Sequence, residues 1–420
     1  MNQRVVIIGG GAAGLFAAIE IGRHWDGEVI LLEKSDRVGR KLLATGNGRC
    51  NLTNADLGEA HFHSVSESHD LRQVVLAQLD GQQTLTFFES IGVVPVEEGQ
   101  GKIYPASGQA SAVLDLLRIE CGRAGINERC GMQVAAIHPL TGNQWQVDIA
   151  GEKSITADVV LLASGGCASP SLGSDGSGFA LAQSLGHSVT PLFPVIVPIE
   201  TDTSDIRSLK GCKCEAQLSL CNEEQILRQE SGEVLFTEYG LSGLPTLQLA
   251  GAVAAAQLDD TTRPLWLEIN LLPEWTAEDL LLFLQMRLAT QGYRMLDDFL
   301  SGWIHKQIAR ALLRSLDLRD LNRLAYTLPA SELDALARRL QHWRLAVRGN
   351  RPFDKAQATA GGVPLCEWNE SLQSRLHPSL FAAGEVLDVH GDSGGYNLQW
   401  AWSSAHAAAR GIVAYLEEQI

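Results

Sequence analysis

The chemistry of this chain opens on three glycines. Gly9-Gly10-Gly11-Ala12-Ala13-Gly14 is a G-x-G-x-x-G, and Glu33 stands 19 residues beyond Gly14. Gly9 permits a tight turn, Gly11 lets backbone approach a pyrophosphate, and Gly14 lets a helix pack closely on a strand. A helix starting here, with Ala12 and Ala13 in its first turn, turns amide N–H groups and the positive end of its dipole toward phosphates. An acid at Glu33 accepts hydrogen bonds from ribose hydroxyls. A glycine-rich turn in a generic α/β protein explains neither the spacing nor the acid, so the set predicts a bound dinucleotide.

The residues that follow decide which dinucleotide. Lys34 and Arg37-x-Gly39-Arg40-Lys41 make a cationic loop, and residues 42–54 (LLATGNGRCNLTN) are rich in small and amide side chains. Such residues let backbone run along a ribityl chain and a flavin ring. Arg40, Lys41, Thr45, Gly46, Asn47, Arg49 and Cys50 are therefore candidate FAD contacts; a flexible polar surface loop is the alternative. Residues 161–166 (LLASGG) read as a strand ending in a small-residue turn, which adds Ser164 and Gly165. Residues 380–385 (LFAAGE) resemble the late strand of flavoproteins whose terminal acid meets the ribityl or pyrophosphate region, which adds Gly384 and Glu385, with Glu in place of the more widespread Asp. Residues 391–399 (GDSGGYNLQ) run into a helix with Asn397 as its N-cap and Leu398 behind it. The end of that helix would stabilise negative charge on reduced flavin. Val134 completes the set, a split site for one non-covalent FAD.

Flavin carries electrons itself, so the protein's part is orientation and proton transfer. His390 and Tyr396 are the candidates beside the flavin turn, with Asp392, Glu238, Tyr239 and Arg49 behind them. An imidazole suits acid/base work, although His390 also reads as a surface loop residue. Cys50 is a conceivable redox thiol without a C-x-x-C partner, and no Ser-His-Asp set or Walker loop stands out. Cys212-Lys213-Cys214 with Cys221 fits no zinc spacing, and packing cysteines are expected there. Gly173-x-x-Gly176-x-Gly178 follows no strand-and-acid arrangement and reads as loop and helix packing. NAD(P)H, if it reduces the flavin, would then dock transiently rather than on its own Rossmann domain.

Elements must bring these residues together. Residues 5–8 and 29–32 are continuous apolar runs, as in parallel strands covered on both faces, with helix formers over 12–24 between them. Residues 71–91 read as one or two amphipathic helices and 111–124 as another. Residues 132–163 read as a β meander ending in a strand. Alternation and turn residues over 191–270 predict an antiparallel β unit, and residues 273–347 carry helical periodicity. There Thr276-x-x-Asp279 and Ser331-x-x-Asp334 read as caps, and Ile304, Ile308, Ala311 and Leu312 share one face. A terminal helix is expected over 403–418. The expected domains are 1–190 with 352–420, 191–272 and 273–351.

Of 420 residues, 45% are hydrophobic and 20% charged, the balance of an ordinary globular protein. The formal net charge of −16 opposes nonspecific nucleic-acid or anionic-membrane binding, which wants clustered cations. No apolar run is long enough to span a bilayer. The apolar start lacks a cationic leader region and is broken by glycines. The eight cysteines are scattered through a long chain, which does not suit a disulfide framework. A cytoplasmic protein acting on a small molecule, without nucleic-acid or membrane partners, is expected; the oligomeric state stays open.

The motifs GGGAAGL (9–15), GRKLLATGNGRCNLTN (39–54), YPASGQASAV (104–113), GEVLFTEYGLSG (232–243), ATAGGV (358–363) and LFAAGEVLDVHGDSGGYNLQWAWSSA (380–405) span nearly the whole chain. Through them the chain resembles the HI0933-like family of bacterial flavoproteins, also called BaiN-type NAD(P)/FAD-dependent or aminoacetone-oxidase-family enzymes. The resemblance implies a Rossmann-like FAD domain of the glutathione-reductase type, an inserted antiparallel β-barrel-like domain and a helical subdomain. It also implies FAD-dependent oxidoreductase activity. Two directions are open: oxidation of an amine or similar metabolite with oxygen, or reduction of an activated C=C bond with NAD(P)H. Action on RNA and a non-catalytic redox sensor are the rival readings. Family members often carry a His in the F-T-x-x-G-x-S-G stretch; Glu238 stands there in this chain, so no role of that His carries over.

Overall fold

The computed structural model describes residues 3–66, 69–223, 225–259 and 263–419. The chain forms two units, Met1–Phe193 with Ala356–Ile420, and Pro194–Lys355.

The first unit is built on a parallel sheet in the order Leu380–Ala382, Val159–Leu162, Arg4–Ile8, Glu28–Glu33, Asn127–Cys130. Val5, Val6, Ile7 and all of Val159–Leu162 are fully buried, which is why these strands read as unbroken apolar runs. Each such side chain contributes about 1.5–3 kcal/mol by leaving water. The helix Ala12–His24 and the terminal helix Tyr396–Glu417 pack against each other as part of the same core, Phe16 meeting Trp402 with ring centroids 5.7 Å apart.

Register sets the site. Ile8 pairs with Leu32 and Leu162, and Leu162 with Ala382, so the strands end level with one another. The residues that follow, Gly9, Glu33, Ala163 and Ala383, gather at the carboxyl edge, where open α/β sheets bind ligands.

Smaller elements frame that edge. Thr53–Asn54, Lys102–Pro105 and Pro95–Glu98 form one antiparallel sheet, and Phe62–His63 pairs with His390–Gly391. The meander of 132–163 is present as Val134–Pro139, Trp145–Ile149 and Ile155–Ala157, its last strand, Val159–Leu162, joining the parallel sheet. Residues 71–91 hold two helices, His69–Gln78 and Gly81–Ser90, divided at Asp80, whose carboxylate and the Gln83 side chain make a reciprocal capping box.

The second unit is a closed six-stranded antiparallel barrel, in the order Ile199–Thr201, Gly240–Ser242, Ile226–Phe236, Lys213–Cys221, Trp266–Asn270, Trp343–Asn350. Helices Leu244–Asp259, Ala277–Gln291, Lys306–Ser315 and Ala330–Gln341 accompany it. Thr276 caps its helix as expected, its hydroxyl accepting the Asp279 N–H.

Several local readings are corrected. Residues 244–259 are helical inside the segment read as β, with Pro245 in the first turn. Trp343–Asn350, assigned to the helical region, is a barrel strand whose first residues alternate buried and exposed. Ser331 lies within the first turn of its helix, behind Pro329 at the N-cap, and Ile304 precedes the helix that carries Ile308, Ala311 and Leu312. The terminal helix starts at Tyr396, with Gly395 (φ 103°) at the N-cap in place of Asn397. Among the described residues no helix is long and apolar enough to cross a membrane.

Candidate functional site

A cleft at the carboxyl edge of the parallel sheet holds about 960 Å³ of empty space, its open mouth included. Its floor is the glycine turn. Gly9 takes φ 111°, and a Cβ there would strike the Ala163 carbonyl; a Cβ on Gly14 would strike the Gly9 carbonyl. Around Gly11 nothing lies within 4 Å of where a Cβ would stand, so this backbone faces open space. Glu33 is fixed at one wall: its Oε2 accepts the Gly10 N–H at 2.9 Å and its Oε1 the Ser35 N–H at 2.8 Å.

The far segments close the cleft. Lys41 Nζ donates to Glu385 Oε2 at 2.6 Å, while Glu385 Oε1 accepts the Thr359 N–H at 2.7 Å. Gly384 takes φ 78° and is clamped by the terminal helix: Trp400 Nε1 donates to its carbonyl and Ser404 Oγ accepts its N–H. Arg40 reaches the Ser171 carbonyl at 2.9 Å.

The structure brings Gly9, Gly11, Ala12, Ala13, Glu33, Arg40, Lys41, Thr45, Ser164, Gly165, Gly384, Glu385, Asn397 and Leu398 to this cleft. Lys34 and Val134 line a second, smaller hollow that shares Gly9, Glu33, Ser164 and Gly173 with the first; Lys34 pairs there with Asp175 at 2.5 Å. Gly14 packs behind the turn. Gly46, Asn47, Arg49 and Cys50 do not line either hollow. Arg49 instead forks onto Glu98 and lies 4.2 Å over the Tyr104 ring. Cys50 is fully buried, and burial pushes its thiol up to about 12, which removes the redox-thiol reading. Leu172, Ser174 and Gln357 line the cleft without having carried a sequence signal, and Gly173 joins them, as do Val389 and Trp400 from the 380–405 motif.

Asn397 does not cap its helix. Its Oδ1 accepts the Gly391 N–H at 2.9 Å, and its Nδ2 donates to the carbonyls of Gly391 at 2.8 Å and Asp392 at 3.3 Å. It thereby ties the strand His390–Gly391 to the cleft wall. His390 is buried in that strand, 7% exposed, rather than standing at the surface. Beside it the buried Asp392 carboxylate meets two imidazoles: Oδ2 lies 3.2 Å from His61 Nδ1 and Oδ1 3.0 Å from His63 Nε2. Tyr396 stacks on His61, centroids 4.5 Å apart, and burial first, then Asp56 and Asp392, push its phenol up to about 12. The sequence pointed to His390, Asp392 and Tyr396 but not to His61 and His63, which stand more than 300 residues away. Glu238 and Tyr239 belong to the barrel unit, where Glu238 pairs with Lys210 and Tyr239 lies under Arg351.

The fold also assembles a Ser-His-Glu constellation from distant segments: His187 Nε2 lies 2.9 Å from Ser374 Oγ and its Nδ1 2.5 Å from Glu367. It is structural. Ser374 Oγ already accepts the N–H groups of Leu376 and His377, each at 3.1 Å, and His187 is stacked on Trp368 with its side chain fully buried.

The residues present fit FAD. Ser164 Oγ is buried without a hydrogen-bond partner among the described residues and lies on the cleft wall. The open backbone at Gly11 and the cations Arg40 and Lys41 suit phosphates, Glu33 suits a ribose, and Leu42, Val389, Leu398 and Trp400 suit a flat apolar ring. Fold and cleft define an FAD-dependent oxidoreductase with a Rossmann-type cofactor domain. More narrowly, the family model described as HI0933-like protein Rossmann domain matches residues 3–411, and the chain belongs to that family.

Among curated proteins, the chain is 36% identical over 415 residues, 97% of this chain and 98% of the other, to a 3-dehydro-bile acid delta(4,6)-reductase of Clostridium scindens. It is 28% identical over 413 residues, 97% of this chain and 98% of the other, to a ribosomal RNA dihydrouridine synthase of Escherichia coli. Among solved structures, a 3-ketosteroid delta1-dehydrogenase from Sterolibacterium denitrificans superposes with a TM-score of 0.49 at 13% identity, covering 98% of this chain and 99% of that one.

Proposed function

We propose that this flavoenzyme reduces a carbon–carbon double bond conjugated to a carbonyl in a small, largely apolar molecule, with NAD(P)H as the transient electron donor. The observation that carries the reading is the 36% identity, across nearly the full length of both chains, to a reductase named for the double bonds it acts on. When bound, FAD supplies the two-electron chemistry; the chain's residues orient it, exclude water and move protons. Gly11, Arg40, Lys41 and Glu33 hold the dinucleotide portion, while Val389, Asn397, Leu398 and Trp400 border the space left for the ring. The same reading places the enzyme in the cytoplasm, where its eight free cysteines stay reduced.

A second reading, reduction of a base in RNA, is favoured by the dihydrouridine synthase at 28% identity. The net charge of −16 weighs against it, because RNA-binding surfaces are basic. Anaerobic photoreduction of the flavin followed by separate mixing with an enone, an aminoketone, ribosomal RNA and oxygen decides among them. Rapid reoxidation by the enone is expected. Reoxidation by ribosomal RNA and not by enones would overturn the small-molecule reading, and reduction of the flavin when the oxidised enzyme is mixed separately with the aminoketone would reverse its direction.

A further inference from the structure

Asp392 is 8% exposed and carries an imidazole on each carboxylate oxygen. The arrangement is held from several sides. Phe62–His63 pairs with His390–Gly391, the Asp392 N–H donates to the His61 carbonyl at 2.9 Å, and Asn397 grips the same strand from the cleft wall. A buried carboxylate is strongly disfavoured without donors, so the ring tautomers that suit these contacts carry their hydrogen on the nitrogens facing Asp392.

The two rings are not equivalent. His61 has both nitrogens engaged, Nδ1 by Asp392 and Nε2 by Asp56 at 3.5 Å, and one face covered by Tyr396. His63 gives only Nε2 to Asp392; its Nδ1 has no partner among the described residues, and its side chain is 35% exposed. Among the described residues, the ionisable groups of the surrounding elements include Asp56, Tyr396, the buried Asp388, which accepts the Val65 and Ser66 N–H groups, His390, whose ring lies 5.3 Å from that of His63, and the Glu59–Arg72 pair at 3.6 Å. An imidazole oriented through one nitrogen by a buried carboxylate, with the other nitrogen open, has the arrangement of a general acid/base. It borders the strand that Val389 and Asn397 tie to the cleft.

We infer that His63 is the proton donor of the reaction and that Asp392 is its positioning residue, with His61 sharing the carboxylate. The inference rests on the reductase reading above. In that reaction the π bond of the enone breaks. Its β carbon takes up a hydride equivalent drawn from reduced flavin, which is thereby oxidised, and its α carbon takes the proton from His63. The neutral imidazole recovers its proton from water at its exposed edge.

The test uses the FAD-loaded enzyme, with His63→Gln and Asp392→Asn as variants. After anaerobic photoreduction, reoxidation by an enone should slow by about 10²–10⁴-fold in His63→Gln. Reoxidation by ferricyanide, which takes electrons without protonating carbon, should stay unchanged. Nitrogen-15 spectra of the histidine side chains give a readout apart from turnover: Asp392→Asn should release the fixed tautomers of His61 and His63 together. If the wild-type enzyme is reoxidised by enones and His63→Gln is as fast, or is slowed equally with ferricyanide, the inference fails while the reductase reading stands. Unchanged imidazole signals in Asp392→Asn would likewise overturn it. A wild-type enzyme that no enone reoxidises overturns the reductase reading itself.

Discussion

Lys41 and Glu385, 344 residues apart in the chain, meet at 2.6 Å on the wall of the cofactor cleft. Glu385 is held in turn by the Thr359 N–H, so the ammonium of Lys41 stands at a fixed place facing the cleft. A hydrogen bond to a charged group is worth about 1.5–3 kcal/mol, and about 1.4 kcal/mol is tenfold in affinity. Lys41→Met should therefore weaken FAD binding by about ten- to a hundredfold, read from flavin fluorescence on titration of the apoprotein. Glu385→Gln keeps the Thr359 contact but loosens Lys41, and its effect should be smaller. Equal or larger loss in Glu385→Gln would mean that the carboxylate itself, rather than the cation, meets the cofactor.

Gly14→Ala tests the turn from the other side. A methyl at this position points into the Gly9 carbonyl, which is backbone and has little room to give. Overpacking of this kind costs about 1–3 kcal/mol and displaces backbone. The displaced backbone here is the turn itself, so the melting temperature and the flavin content of the purified protein should fall together. A protein of normal flavin content and lowered melting point would separate helix packing from cofactor binding.

The difference between local and distant information explains what could be read from the chain. Gly9, Gly11, Gly14 and Glu33 were legible because one turn and one strand pair set their geometry. Asn397 lines the cleft, but it does not cap its helix, since its amide closes on Gly391 and Asp392 instead. Arg49 follows Thr45 closely in sequence, yet Glu98 and Tyr104 from a neighbouring sheet take its guanidinium, and it does not line the cleft. His61 and His63 acquire meaning only through Asp392, and no local pattern announces a partner so remote. Trp343–Asn350 follows a helix directly, and only closure of the barrel shows it to be a strand.

His187 gives the first unit a pH response. Burial, outweighing the Glu367 carboxylate beside it, holds its imidazole below the ordinary histidine value of about 6.5. The unfolded chain therefore binds more protons than the folded one in the window below that value, and stability rises with pH there. This contribution is complete above the unfolded value and is lost as the pH falls toward the folded one. Burial alone would raise Glu367, but hydrogen bonds from Ser188 and His187 bring it below its ordinary value, adding a second loss at more acidic pH. Urea midpoints measured between pH 7.5 and 5.5 (about one unit either side of the free imidazole) should decline, and His187→Gln should flatten the decline. A His187→Gln profile parallel to wild type would assign the acid sensitivity elsewhere.

Cys50 and Cys366 should react very differently with an alkylating agent. Cys50 is fully buried with φ 63°, its N–H donating to the Thr45 carbonyl at 3.0 Å, and its thiol is pushed up to about 12 by burial. Only the thiolate attacks, so Cys50 is both shielded and protonated at pH 8, whereas Cys366 is exposed. Iodoacetamide followed by peptide mass mapping should label Cys366 fully and leave Cys50 unmodified until the protein is denatured. The same experiment on the photoreduced enzyme asks whether the loop at Thr45, which lines the cleft, moves with the redox state. Labelling of Cys50 in the reduced native enzyme alone would show that the 45–50 loop opens on reduction. Protection in both states would leave the loop a rigid wall and the thiol a packing group.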